Sequence, residues 1–363
     1  MKREESLIQE ESMPLAEEVS KETEAETETE TPVENLITSI MYVMADQVNV
    51  RKEPSAEAEK AGVLPQDAEV GVIENDGEWV KVFYDGEICF ISAEYLTDDK
   101  DWKEHLLSSK GYKDGETVSL DPSWEYAEFS EICTDSATMY LAKKKRKGIT
   151  IGVNAGHGTD GGDSVKTWCH PDKTPKVTGG TTAAGETKAV AVSWGMTFRD
   201  GTREAKVTLA EAQILKETLL ENGYDVLMIR ESDNVQLDNV ARTVICSNAA
   251  DCHIAIHWDG DGFDYDKGCF YMSVPEGIKY LPSVASTWEK SEALGDALIQ
   301  GLSEKGNKIM GSGSMDMDLT QTSYSTVPSV DIELGNQSSE HGNEKLYQLA
   351  EGLRKGIDLY FGY

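Results

Sequence analysis

The stretch GITIGVNAGHG (148–158) decides the fold: an apolar strand runs straight into a histidine flanked by glycines, His157. Two later stretches follow the same plan. HIAIHWDG (253–260) reaches His257, and VPSVDIELG (327–335) reaches Glu333. Between the first two strands a helix, EAKVTLAEAQILKETLLENG (204–223), opens with Glu204. In an open α/β sheet the crevice beyond the carboxyl ends of the strands binds ligands, so residues distant in sequence meet there. Two imidazoles and one carboxylate make a three-ligand zinc set with an open fourth position, and a further carboxylate can act as base. The outline is that of a zinc hydrolase.

Around these stretches strand and helix alternate. The helix carries Leu209, Ala212, Leu215 and Leu219 on one face and stops at Gly223. YDVLMIR (224–230) and CFYMSV (269–274) read as further strands, and a helix ends near CSNAAD (246–251). SEALGDALIQGLSEKG (291–306) and NEKLYQLAEGLRKGIDLYF (343–361) read as helices. The expected fold class is therefore α/β: an open, mostly parallel twisted sheet flanked by helices, occupying 137–363. Ala137–Leu141 is expected as its edge strand, and the basic run KKKRK (143–147) as a solvated turn.

Upstream the character changes. Residues 1–38 are expected to be a disordered acidic tail: 1–36 hold 12 Glu against 3 basic residues, too little apolar surface to offset ordering entropy. Such a tail serves as a spacer or as a solubilising segment. Across 39–98, short alternating runs (QVNVR, EVGVI, EWVKVFY, EICFI) are separated by Asp-Gly turns, which predicts a small all-β barrel of five strands. The opening VNVRKEPS (48–55) and the later Trp79, Gly86 and Tyr95–Leu96 resemble bacterial SH3 (SH3b) domains, with Phe90 where that family usually has Trp. The resemblance implies wall targeting; Trp79 and Phe90 read as core packing. Residues 99–136 are expected to be a linker, with loop or short helix near 98–116.

Composition removes several function classes. The 363 residues allow two domains, and a net charge of −32 disfavours nucleic acid and anionic lipid as partners. No run of about 18 apolar residues exists, hence no membrane span. The start MKREESLIQEE is basic but lacks an apolar signal core, so the expectation is either that the protein is not exported by that route or that a leader has been removed. Six scattered cysteines, with no C-x-x-C pair, make neither a disulfide framework nor a zinc knuckle; Cys246 and Cys252 read as buried thiols.

Each candidate also has an ordinary explanation. A loop histidine is commonly non-catalytic, and Glu204 suits a helix dipole. Glu333, flanked by apolar residues, costs several kcal/mol to desolvate unless something compensates it. His253 reads as structural. His170 and Cys169, inside the long Gly/Thr-rich loop 159–203, read as packing or surface decoration, while the loop itself is expected to line or cover the groove.

The order His, Glu, His, Glu carries a resemblance that no single residue does. Residues 148–361 resemble the zinc-dependent N-acetylmuramoyl-L-alanine amidases of the amidase-3 type. The match includes Asn154–Gly158, Glu204–Leu209, NGYDVLMIRESD (222–233), Arg242 with Asn248, Ile256–His257 and VPSVDIELG. The resemblance implies that His157, Glu204 and His257 hold Zn2+ and that Glu333 is the catalytic carboxylate. It implies a peptidoglycan substrate and an extracellular or wall-associated location. The expected chemistry is zinc acting as Lewis acid on the lactyl carbonyl while Glu333 moves a proton from water to the departing L-alanine amine. The departures are Asn154 for Asp, Trp258–Asp259 after His257, and Asn336–Ser339 where the family has F-x-x-N.

Two other readings stand beside it. A zinc peptidase acting on stem peptides is disfavoured because its ligands usually include a close H-x-x-E pair, whereas His157 and Glu204 lie 47 positions apart. A non-catalytic wall-binding or regulatory protein is disfavoured because all four site residues are retained.

Overall fold

Alternation of apolar and polar residues over 39–97 becomes seven antiparallel strands in the computed structural model, which describes residues 36–98, 100, 102 and 111–363. The strands are β1 (Ser39–Val43), β2 (Gln47–Arg51), β3 (Lys60–Pro65), β4 (Glu69–Asn75), β5 (Trp79–Tyr84), β6 (Glu87–Ser92) and β7 (Leu96–Thr97). They run in the order β3-β2-β6-β5-β4-β1-β7, two more than the sequence suggested. Val43, Val48, Val50, Val72, Val80, Val82 and Ile91 form the core. Trp79 is only half-buried, and neither it nor Phe90 joins the fully buried set. Most of the acidic tail, and most of the loop or helix expected near 98–116, lies outside the described residues.

The chain divides into two units, Met1–Lys100 and Asp101–Tyr363. In the second unit β8 (Thr117–Ser119), β9 (Ser136–Tyr140), β10 (Thr150–Ala155), β11 (Lys166–Trp168), β12 (Lys188–Val190) and β13 (Asp225–Met228) come first. They are followed by β14 (Cys252–Asp259), β15 (Cys269–Ser273), β16 (Ile309–Asp316) and β17 (Ser329–Asn336). An eight-stranded sheet runs β16-β15-β17-β14-β10-β13-β9-β8, and β11 pairs with β12 apart from it. Its centre, β17-β14-β10-β13, is parallel; β9, β8 and the β15–β17 pairing are antiparallel. The expected edge strand at 137–141 is therefore an inner strand, because β8 covers it. Residues 117–136, assigned to a linker from the sequence, pack onto this sheet: Val118 and Leu120 join its core, and Ala127 packs on the next helix. That stretch is poor in periodicity, so only its tertiary contacts reveal it.

Helices cover both faces. They are α1 (Glu204–Glu221), α2 (Asn239–Ala249), α3 (Pro282–Ala285), α4 (Trp288–Glu304), α5 (Thr320–Tyr324) and α6 (Asn343–Phe361). Strand residues of one parity (Ile151, Val153, Ile254, Ile256, Ile332, Leu334) pack with Leu215, Leu298 and Leu353 of α1, α4 and α6. On the other face Leu227 and Met139 pack with Ala241 and Ile245 of α2. The period-two alternation that buries one set of side chains sends the other set, including His257 and Glu333, to the opposite face. The basic run is more than a solvated turn: Arg146 pairs with buried Asp225 at 2.6 Å, and Lys147 with Asp358 at 3.0 Å. Cys246 and Cys252 are buried as expected. Among the described residues no helix is long and apolar enough to cross a membrane.

Candidate metal centre and active site

His157 lies just beyond β10, with φ of 64°, so the chain turns at the histidine itself as well as at its glycine neighbours. Gly156 is required for contact: a Cβ there would stand 2.2 Å from the His257 ring. At Gly195 (φ 76°) a Cβ would lie 2.7 Å from both the Glu204 carboxylate and the His157 ring. The two glycines are the walls of a cradle in which three side chains meet. His157 Nε2 is 2.8 Å from Glu204 Oε1, His257 Nδ1 is 3.1 Å from that oxygen, and the two ring nitrogens are 3.0 Å apart. Their donor atoms converge as in a metal-ligand set, the one such group among the described residues.

The surroundings fix each of them. His157 Nδ1 faces the Ser193 carbonyl oxygen at 2.8 Å. A carbonyl only accepts, so Nδ1 carries the proton and the Nε2 lone pair points at the cluster. Glu204 opens α1; its Oε2 accepts the Met196 N–H at 2.7 Å and its Oε1 the Trp258 N–H at 3.1 Å. Burial pushes the Glu204 carboxyl up, yet His157 and then His257 hold it below the ordinary carboxylate range. The strand end carrying His157 is braced by two buried guanidinium groups. Arg242 donates to the His157 and Ala155 carbonyls, and Arg230 to those of Ala155 and Gly156. Burial brings Arg242 down to about 9 and Arg230 to about 10.

Glu333 follows His257 across the β14–β17 register and lines the same cavity of about 610 Å³. Its Oε2 is buried without a hydrogen-bond partner. Burial, then the charges of Asp331 and Glu204, raise its carboxyl well above the usual value. The sequence reading overlooked Asp331, two positions earlier on the same face, whose Oδ1 is also buried and unpartnered. A second carboxylate at i−2 in an apolar strand was the available signal. Burial pushes Asp331 up as well, while for His257 the lowering effect of burial is outweighed by Asp331 and Glu204. Two imidazole nitrogens, one shared carboxylate and two further carboxylates with orphaned oxygens suit a divalent cation, which offsets that much buried negative charge.

Other residues fall outside the centre. His253 is fully buried; its Nε2 accepts from Asn154 Nδ2 at 3.1 Å and its Nδ1 lies 3.2 Å from Ser329 Oγ. Burial, with the Arg242 charge, brings it to about 3, so it is a neutral packing residue. Asn154, in the position of the family Asp, contacts His253 and Arg242 rather than a metal ligand. His170 is buried, 2.8 Å from Ser323 Oγ and 3.2 Å from Asp318. Loop 159–203 lines the cavity through Lys176, Thr182, Val192 and Trp194, and the rim after Glu333 is closed by Asn336 and Ser338 bonding to the 261–265 loop.

Residues 151–358 match the N-acetylmuramoyl-L-alanine amidase family, and residues 46–97 match the bacterial SH3 domain. The chain belongs to the N-acetylmuramoyl-L-alanine amidase family. It is a hydrolase of the amide bond between N-acetylmuramic acid and L-alanine in peptidoglycan. Among solved structures this amidase is similar to apo Ami1 of Mycobacterium abscessus, at 20% identity over 59% of this chain and 99% of that one, with a TM-score of 0.48. Ami1 of Mycobacterium smegmatis gives 19% identity over 59% and 97%, TM-score 0.49. An amidase of Clostridium difficile 630 gives 15% over 59% and 97%, TM-score 0.43. No curated protein matches the sequence.

Proposed function

We propose that the amidase is zinc-dependent, with His157, Glu204 and His257 as the metal ligands and Glu333 as the catalytic carboxylate. The carrying observation is the meeting of His157 Nε2, His257 Nδ1 and Glu204 Oε1 within 3.1 Å, from three separate elements. When bound, zinc supplies Lewis-acid polarisation of the scissile carbonyl and lowers the pKa of water toward about 7. The protein does the rest. The Ser193 carbonyl holds the His157 tautomer, and the Met196 and Trp258 amides hold Glu204. Glu333, on β17 at the cavity wall, takes the proton of the attacking water and returns it to the departing L-alanine nitrogen. Burial and the neighbouring carboxylates raise its pKa, the direction expected of a group that must hold the transferred proton before passing it on.

The SH3 domain is proposed to hold the enzyme on the wall, and the wall substrate implies an exported, extracellular protein. The test is one protein and one variant. The purified chain should contain one zinc ion, and Glu333→Gln should retain it while turnover on purified peptidoglycan falls about 10²–10⁴-fold. Mass analysis of the digest should show stem peptides with N-terminal alanine and intact glycan strands. Full activity after chelation, or unchanged turnover in the variant, sinks the assignment.

A further inference from the structure

The three ligands are not anchored alike. His157 has Ser193 behind it, and Glu204 has two backbone amides. His257 presents Nδ1 to the cluster, so in the neutral ring required of a metal ligand its proton sits on Nε2. That nitrogen faces one acidic group, Asp331, whose Oδ2 is 3.7 Å away. The ring itself is wedged against Gly156, where there is no side chain to yield. Asp331 pairs in register with Ala255, two residues before His257 on the adjacent strand and on the same face. The aspartate shares the face of Glu333, opposite the apolar set Val330, Ile332 and Leu334, and its Oδ1 is buried without a hydrogen-bond partner, which is costly unless the carboxylate meets a donor or cation.

We infer that Asp331 is a positioning residue: its carboxylate stands behind Nε2 of His257 and, by attracting the Nε2–H, directs Nδ1 at the metal. This rests on the reading of His157, Glu204 and His257 as the metal centre. An outer carboxylate of this kind fixes ring orientation and raises the basicity of the ligating nitrogen, and its loss usually weakens metal binding 10–100-fold.

The experiment measures zinc affinity of the full chain by competition with a chromogenic chelator, for wild type and for Asp331→Asn, Asp331→Leu and Asp331→Glu. Asp331→Leu should bind zinc about 10–100-fold more weakly, Asp331→Asn should fall between, and Asp331→Glu should restore most of the loss. The visible absorption band of the cobalt-loaded protein should shift in Asp331→Leu and return in Asp331→Glu. Asp331→Asn keeps the shape of the side chain, so it reports even if the leucine variant folds poorly. Affinities all within twofold of wild type overturn the inference, including when turnover drops, since that pattern marks a direct proton carrier. Failure of the wild type itself to bind stoichiometric zinc instead overturns the metal-centre reading beneath it.

Discussion

Glu211 lies fully buried in α1, with both carboxylate oxygens unpartnered. Burial raises its pKa well above the ordinary value, and Lys345 offsets only part of the effect. The native state thus holds a proton that the unfolded chain has already released above about pH 4.3. The stability tied to that proton is complete below this point and is lost as pH rises toward the native pKa. Glu211→Gln should remove this loss, leaving the variant more stable by about 1–3 kcal/mol at pH 8 and little changed at pH 4.5. Urea midpoints across pH 4.5–8 check it; parallel curves for the two proteins would refute it. Residue-level reading singled out His157, Glu204, His257 and Glu333 because each lies at or near the end of a periodic element. It missed Asp331 and Ser193, whose roles depend on which ring nitrogen faces the metal side, a fact of orientation that residue spacing does not carry.

At the scale of elements, loop 159–203 is pinned to the segment before α5 by a buried polar cluster. Asp318 accepts the Val177 N–H at 2.7 Å and lies 3.2 Å from His170, while Lys176 donates to the Asp318 carbonyl. Asp318→Ala removes the acceptor of the Val177 amide and the carboxylate beside buried His170, which costs about 1–3 kcal/mol where a hydrogen-bonding group loses its partner. The expected results are a lower melting temperature and new proteolytic cleavage within 159–203. A loop as resistant as wild type would show that the clamp is not what holds it. The central strands were legible to within a few residues because buried parallel strands are continuous apolar runs. β16 was not: IMGSGSMD has neither alternation nor an apolar run, and it is a strand because β15 offers it an edge. β8 likewise exists through β9, which turned a predicted edge into an inner strand.

For the whole molecule, two units with separate cores should melt separately. Calorimetry of the full chain should show two transitions, and a chelator should lower only that of residues 101–363. The shift follows from ligand binding to the native state alone, about 4 kcal/mol when free zinc is a thousandfold above its dissociation constant. A chelator shift in both transitions, or in neither, would contradict the placement of the metal centre. The sequence by itself determined the order of the central strands and the long helices, the acidic character of the chain, and the candidate positions His157, Glu204, His257 and Glu333, since periodicity and residue type are local properties. Tertiary structure alone decided that Gly156 and Gly195 open the cradle, that residues 117–136 belong to the sheet, and that Asp331 stands behind His257. Those facts depend on contacts between segments up to 176 positions apart, such as His157 and Glu333, and only a folded chain sets such distances.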